Sequence, residues 1–250
     1  RHMTSLFFVP IRLCVPSGIQ RIIPYNRSLA YDLTLKNDSG TIGTTNHRLQ
    51  RDKPMAQHIV VTEYDPLWRK MFEEEAYVIK CILRDNCLVI HHIGSTSVPG
   101  LAAKPIIDIM PVVHSLERVD AVRKSFEEIG YEYLGEFGIT GRRYLRKGGD
   151  ERTHQIHIFS EERTDDIKRH LALRDYLRTH KEACSAYASL KKSLAEQYPY
   201  DIGGYCDGKD EYIKKIEKIA LDWIKNTDSQ PDIPSIAQCP AEDEYGRLQS

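Results

Sequence analysis

The sequence predicts an α/β domain of the α+β kind, in which a mixed β-sheet is flanked by helices and closed by a C-terminal helical cap. Three observations predict it. Two apolar, β-branched runs, Cys87 to Ile93 and Ile106 to Val113, are separated only by a small polar loop and read as buried neighbouring strands. Alternating segments at Tyr131 to Leu134, Arg142 to Arg146 and His154 to Phe159 supply further strands. Three helical segments, roughly 164–179, 182–197 and 208–225, then follow with no strand between them.

Taken in order, Ile59-Val60-Val61 is a short extended run, and Asp65-Pro66 opens a helix with proline at its first position. Apolar residues recur at Leu67, Met71, Ile79 and Leu83, so that helix runs over 66–85. After the two central strands, Ser115 can cap a helix that reaches about Ile129, where Gly130 stops it. Pro199, Gly203 and Gly204 read as breakers between the last two helices.

Composition bounds the function. The 250 residues carry 35 basic and 36 acidic side chains, 28% charged and 41% hydrophobic, as in an ordinary globular protein. Basic and acidic residues alternate along the helical segments, which argues against a grip on bulk nucleic acid but is compatible with a small phosphorylated ligand. Cys14, Cys81, Cys87, Cys184, Cys206 and Cys239 are scattered, with no two-residue spacing for zinc or redox chemistry, and reduced thiols in the cytoplasm fit best. No apolar run approaches the roughly 18 residues of a membrane span.

Three regions follow from these patterns: a leader at 1–54, a folded core at 55–226 and a tail at 227–250. The leader contains Pro10, Pro16, Pro24 and Pro54 and a polar stretch from Asn37 to Thr45, and reads as disordered or as an upstream extension. Its first acidic residue, Asp32, comes after Arg1, Arg12, Arg21 and Arg27, so a mitochondrial transit peptide is the alternative, although the prolines oppose an amphipathic helix. Pro231, Pro234 and Pro240 mark the tail as disordered.

The loop between the central strands is Gly94-Ser95-Thr96-Ser97-Val98-Pro99-Gly100-Leu101-Ala102-Ala103-Lys104-Pro105. Glycine permits close backbone approach, hydroxyls offer donors and amides at the start of a helical turn attract anions, so a phosphate site is reasonable. The lysine-serine ending of a P-loop is missing, and a plain tight connection is the alternative. Asp108 adds weight, because an aspartate in an apolar strand must meet donors or hold a cation. Ile106, Asp108 and Met110 share one face, with Ile107 and Ile109 on the other.

From His91 to Asp108 the sequence resembles the signature of the GrpB family, a branch of the nucleotidyltransferase superfamily. The similarity continues through Arg142 to Lys147, Arg152 to Phe159, Arg169 to Arg178, Lys191 and the helix of Lys209, covering most of residues 59–224. The resemblance implies a nucleotidyltransferase-like fold in which Gly94, Ser95, Thr96 and Ser97 bind a nucleoside triphosphate. Asp108 would hold Mg2+ or Mn2+, and a nucleotidyl group would pass to a small-molecule acceptor. The second carboxylate usual in active members falls at Met110, a thioether that gives magnesium no hard oxygen. The alternative is therefore a non-catalytic nucleotide- or anion-binding module.

His154 and His157 are three residues apart on a strand and point to opposite faces. The resemblance makes His157 the acid-base or ligand candidate, against a histidine hydrogen-bonded within the sheet. On the following helix, His170 and Arg174 fall inside the apolar arc of Ile167, Leu171, Leu173 and Leu177, where they either line a pocket or brace a buried carboxylate. Asp175 and Arg178 read as surface charges. Lys104, Arg142, Lys191 and Lys209 are weaker candidates for anion contacts. Limited proteolysis followed by mass spectrometry is expected to trim residues 1 to about 54 and those after about 226 while the core survives. Protection of residues 10–50 would count against this division.

Overall fold

The computed structural model describes residues 58–226. Five strands form one sheet: β1 (Cys87–Ile93), β2 (Ile107–Val113), β3 (Tyr131–Tyr133), β4 (Arg142–Lys147) and β5 (His154–Ser160), in the order β1-β2-β5-β4-β3. Only β2 and β5 run parallel; the other neighbours are antiparallel, so the sheet is mixed. The helices are α1 (Leu67–Leu83), α2 (Leu116–Ala121), α3 (Arg123–Glu128), α4 (Thr164–Thr179), α5 (Lys181–Gln197) and α6 (Ile202–Asn226). This is the mixed sheet with flanking helices and C-terminal cap that the patterns predict. Among the described residues, no helix is long and apolar enough to cross a membrane.

The period-two alternation of the central strands assigns the two faces. Ile107 and Ile109 of β2 and Ile156 and Ile158 of β5 pack with Trp68, Phe72 and Ile79 of α1 and with Val119 and Phe126 of α2 and α3. On the other face, Met110, Ile93 and Phe159 pack against Leu171 of α4. Asp108 belongs to this second face and His154 and His157 part to opposite sides, as the spacing requires. The helical cap has its own cluster, in which Leu177, Cys184, Tyr187 and Ile216 enclose Val98 and Leu101 of the loop between β1 and β2.

Two elements differ from expectation. The helix predicted from Ser115 to Ile129 is divided at Val122, whose amide donates to Val119 in a tight i to i−3 turn. The last helix starts at Ile202, so Gly203 and Gly204 lie in its first turn. The physical reason is packing: a Cβ on Gly204 would come within 2.6 Å of the Tyr198 ring, and its amide donates to Asp201 Oδ1 at 3.0 Å. These glycines allow close approach at a capped helix start. The Ile59–Val61 run forms no strand; an isolated bridge pairs the adjacent Thr62 with Ala103.

Asn86 ties α1 and β1 to the start of α2. Its side-chain amide donates to Ser115 O at 2.9 Å and its side-chain oxygen accepts from Ser115 N at 3.0 Å, with the residue only 2% exposed. Asn86→Ala leaves the amide and carbonyl of half-buried Ser115 without these partners. It should lower unfolding free energy by about 1–3 kcal/mol, read by urea denaturation. An unchanged midpoint would refute the assigned role.

Candidate functional site

The site begins where β1 ends. Ile93 lies opposite Asp108 in the antiparallel register, so the turn after Ile93 starts beside that carboxylate. Gly94 has φ +69°, and a Cβ there would sit 2.3 Å from Asp108 Oδ2. Glycine is required twice over, by conformation and by the proximity of the aspartate. The turn and Asp108 do converge, and Asp108 stays one-quarter exposed.

Within the turn, the hydroxyls divide into two roles. Thr96 Oγ1 donates to Ile106 O at 3.1 Å, and Ser97 Oγ donates to Gly94 O at 2.6 Å. Because the Thr96 proton is engaged, its oxygen accepts from His92 Nε2 at 3.1 Å, which sets the tautomer of that buried ring. Burial pushes His92 down to about 4, so it stays neutral. Thr96 and Ser97 therefore shape the loop from inside. Ser95 is the turn side chain that faces a cleft of about 290 Å3.

Four cations share that cleft with one carboxylate. Lys104, Arg152, Lys191 and Lys209 line it together with Ser95 and Asp108. Lys104 and Lys209 lie 5.3 and 5.0 Å from the centroid of the Tyr205 ring, and Lys191 lies 4.4 Å from that of Tyr187. Lys191 Nζ and Arg152 Nε are buried without a hydrogen-bond partner among the described residues. Burial, aided by the nearby Lys209, lowers Lys191 to about 7 and also lowers Lys104. Such a set of like charges is costly without an anion.

His157 approaches the cleft from behind. Its Nδ1 is 3.3 Å from Arg142 Nη1; arginine only donates, so Nδ1 accepts and the neutral ring carries its proton on Nε2. That Nε2 lies 3.6 Å from Asp108 Oδ1, within ion-pair range but longer than a hydrogen bond. Arg142 itself is anchored on the carbonyls of Glu136 and Phe137 and so orders the loop before β4. His170 packs between His157 and Phe159 at 5.9 Å from each ring, and burial pushes it down to about 3. His154, on the opposite face, meets Thr153 Oγ1 at 2.9 Å.

Arg174 is a brace. Its Nε and Nη2 form a fork on Asp175 at 2.7 and 2.9 Å, while Nη1 donates to His92 O at 3.3 Å. Arg178 donates to Ser97 O at 3.0 and 2.8 Å and reaches the same Asp175. Expected surface charges are thus part of a clamp holding both ends of the turn. Neither His170 nor Arg174 lines the cleft.

The position two residues beyond Asp108 is closed to metal chemistry. Met110 is fully buried among Ile93, Phe159 and Leu171. Among the described residues, no group of three His, Cys, Asp or Glu side chains could hold a metal. A divalent cation at Asp108 would find one protein carboxylate and would take its other oxygens from phosphate and water, a donor set that magnesium accepts.

The profile of the family described as "GrpB protein" matches residues 58–218. The chain belongs to the GrpB family. It is 42% identical over 192 residues to the UPF0157 protein YqkA of Bacillus subtilis, covering 77% of this chain and 54% of that relative, so the chain spans about half of YqkA's length. It is 40% identical over 170 residues to the UPF0157 protein PA4798 of Pseudomonas aeruginosa, covering 65% of this chain and 68% of the relative. The crystal structure of the conserved protein GrpB from Enterococcus faecalis is similar at 55% identity with a TM-score of 0.64, covering 66% of this chain and 98% of that one.

In this GrpB chain, sequence reasoning missed Arg152, Gln155, Tyr144 and Tyr205 as cleft residues. Arg152 stands in a polar loop where an arginine ordinarily reads as solvated, and Tyr205 follows two glycines taken as breakers. Tyr144, Arg152 and Gln155 do lie in stretches that resemble the family, and Gln155 alternates with His157 on β5 and so faces the Asp108 side.

The clamp generates a test in this family. Arg174→Met keeps volume but leaves Asp175 and the His92 carbonyl without the guanidinium, and the side chain is only 4% exposed. Breaking a buried ion pair from one side should cost about 3–5 kcal/mol, seen as a lower denaturation midpoint. Near-normal stability with weakened ligand binding would instead return Arg174 to the pocket.

Proposed function

We propose that the cleft binds a nucleoside triphosphate, with a single divalent cation, Mg2+ or Mn2+, shared between Asp108 and the phosphates. One observation carries the reading: Lys104, Arg152, Lys191 and Lys209 line a cleft with one partly exposed carboxylate beside a glycine-serine turn, and two of their nitrogens are buried without hydrogen-bond partners among the described residues. A polyphosphate supplies the missing charge and acceptors. Lys104 and Lys209 give point charges, Arg152 gives directional donors, and Ser95 offers a hydroxyl near Asp108. The cation, when bound, would polarise a phosphoryl oxygen as a Lewis acid.

Binding without two-metal catalysis is the form that the geometry favours, since Met110 leaves no second ligand site. A transfer reading has its own support in Asp108 and His157, whose Nε2 and Oδ1 are 3.6 Å apart and could handle a proton from a small acceptor. A cytoplasmic setting is consistent with Cys87, Cys184 and Cys206 standing as thiols.

Thermal melts with ATP, GTP, CTP and UTP test the reading. A nucleotide at 100 times its Kd should add about 2.7 kcal/mol to stability, a rise of a few degrees in Tm. Lys104→Ala/Lys209→Ala is expected to remove most of the shift, and Asp108→Ala the part that depends on added magnesium. Absence of a shift with every nucleotide, or a full shift in the double variant, would overturn it.

A further inference from the structure

Resting on the nucleotide reading above, we propose that Lys191 is a nucleophile, whose amine attacks the α-phosphorus of the bound nucleoside triphosphate to give a nucleotidyl-lysine and pyrophosphate. Three observations converge on it. The first is the setting of the amine. Lys191 is 2% exposed, its Nζ has no hydrogen-bond partner among the described residues, and it rests over the Tyr187 ring at 4.4 Å. Tyr187 in turn packs in one cluster with Val98 and Leu101, so one tyrosine links the amine to the loop that follows β1. A lysine kept for structure would end on a carboxylate or a carbonyl.

The second is the state of that amine. Desolvation and a neighbouring cation are the two means by which proteins free a lysine lone pair, and both act on Lys191, through burial and through Lys209. At about 7, a large share of the amine is unprotonated at neutral pH, against roughly one part in a few thousand for an ordinary lysine.

The third is Met110. In two-metal transfer one cation activates a hydroxyl acceptor, and here that position lies in an apolar cluster. A neutral amine needs no such activation. The absent carboxylate and the unpartnered lysine are then two parts of one arrangement. Lys104, Lys209 and Arg152 remain to hold the phosphates and to stabilise the departing charge.

The step balances without a co-reactant. The Nζ–Pα bond forms as the bond from Pα to the bridging oxygen breaks. Pyrophosphate leaves with that electron pair and one amine proton, and nothing is oxidised or reduced. The phosphoramidate product can pass its nucleotidyl group to an acceptor or return it to pyrophosphate.

The whole chain is incubated with magnesium and each nucleoside triphosphate labelled at the α- or γ-phosphate, then denatured. The α-label is expected to stay with the protein, labile to acid and stable to alkali, and to map to Lys191 by peptide mass spectrometry. The γ-label should not be retained, and added pyrophosphate should discharge the adduct. Lys191→Arg should cut labelling at least tenfold. A wild-type protein that shows the shift but takes no label overturns the lysine and leaves the binding reading standing. Label on another residue, or undiminished label in Lys191→Arg, overturns it as well. No shift with any nucleotide removes both. Should Lys191→Arg fold poorly, the peptide map and the pyrophosphate reversal on the wild-type chain decide.

Discussion

The close approach of Gly94 to Asp108 is the constraint from which the rest of the site follows. A Cβ on Gly94 would sit 2.3 Å from Oδ2, so the turn and the carboxylate occupy nearly the same space, and only a residue without a side chain satisfies both. The pairing is set in turn by the sheet. Ile93 opposes Asp108 because Ile107 and Ile109 are held in the core against α1, and a slip of one residue would drive the aspartate into that core. Hydrophobic register on one face thereby fixes a polar geometry on the other.

Around this contact, the polar groups of the turn and the cleft fall into two kinds. Thr96, Ser97, Arg174 and Arg178 have partners on the loop or its flanks and hold it in one shape. Lys191 and Arg152 line the cleft, and each has a buried nitrogen with no hydrogen-bond partner among the described residues. A fully paired network rigidifies, while unpaired buried cations hold a standing attraction for anions. Within one turn, Ser95 faces the cleft while its neighbours Thr96 and Ser97 belong to the rigid frame.

Much of the fold was legible because the patterns are local. The two central strands and the first two cap helices lie where periodicity and Gly, Pro and Ser signals put them, and the alternation around Asp108 assigned its face correctly. The cleft was less legible. Arg152, Lys191 and Lys209 are far apart in sequence, and nothing in each one's neighbourhood distinguishes a converging cation from a solvated one. Arg174 was recognisable as inward-facing, yet half of its partnership is the backbone carbonyl of His92, which no side-chain pattern reveals. Gly203 and Gly204 misled because glycine serves close packing as well as chain breaks, and only Tyr198 in place distinguishes the two.

Val98 and Leu101 lie by sequence between two strands but by packing within the helical cap, beside Leu177, Tyr187 and Ile216. The cleft therefore has no boundary at which the protein divides into interchangeable parts. A cap exchanged between two relatives would have to carry the connecting loop with it, and the loop would have to bring the aspartate it leans on. Sheet and cap are bound to change together, so variation in ligand preference across such chains should fall on the cations that reach in from the cap and not on the turn.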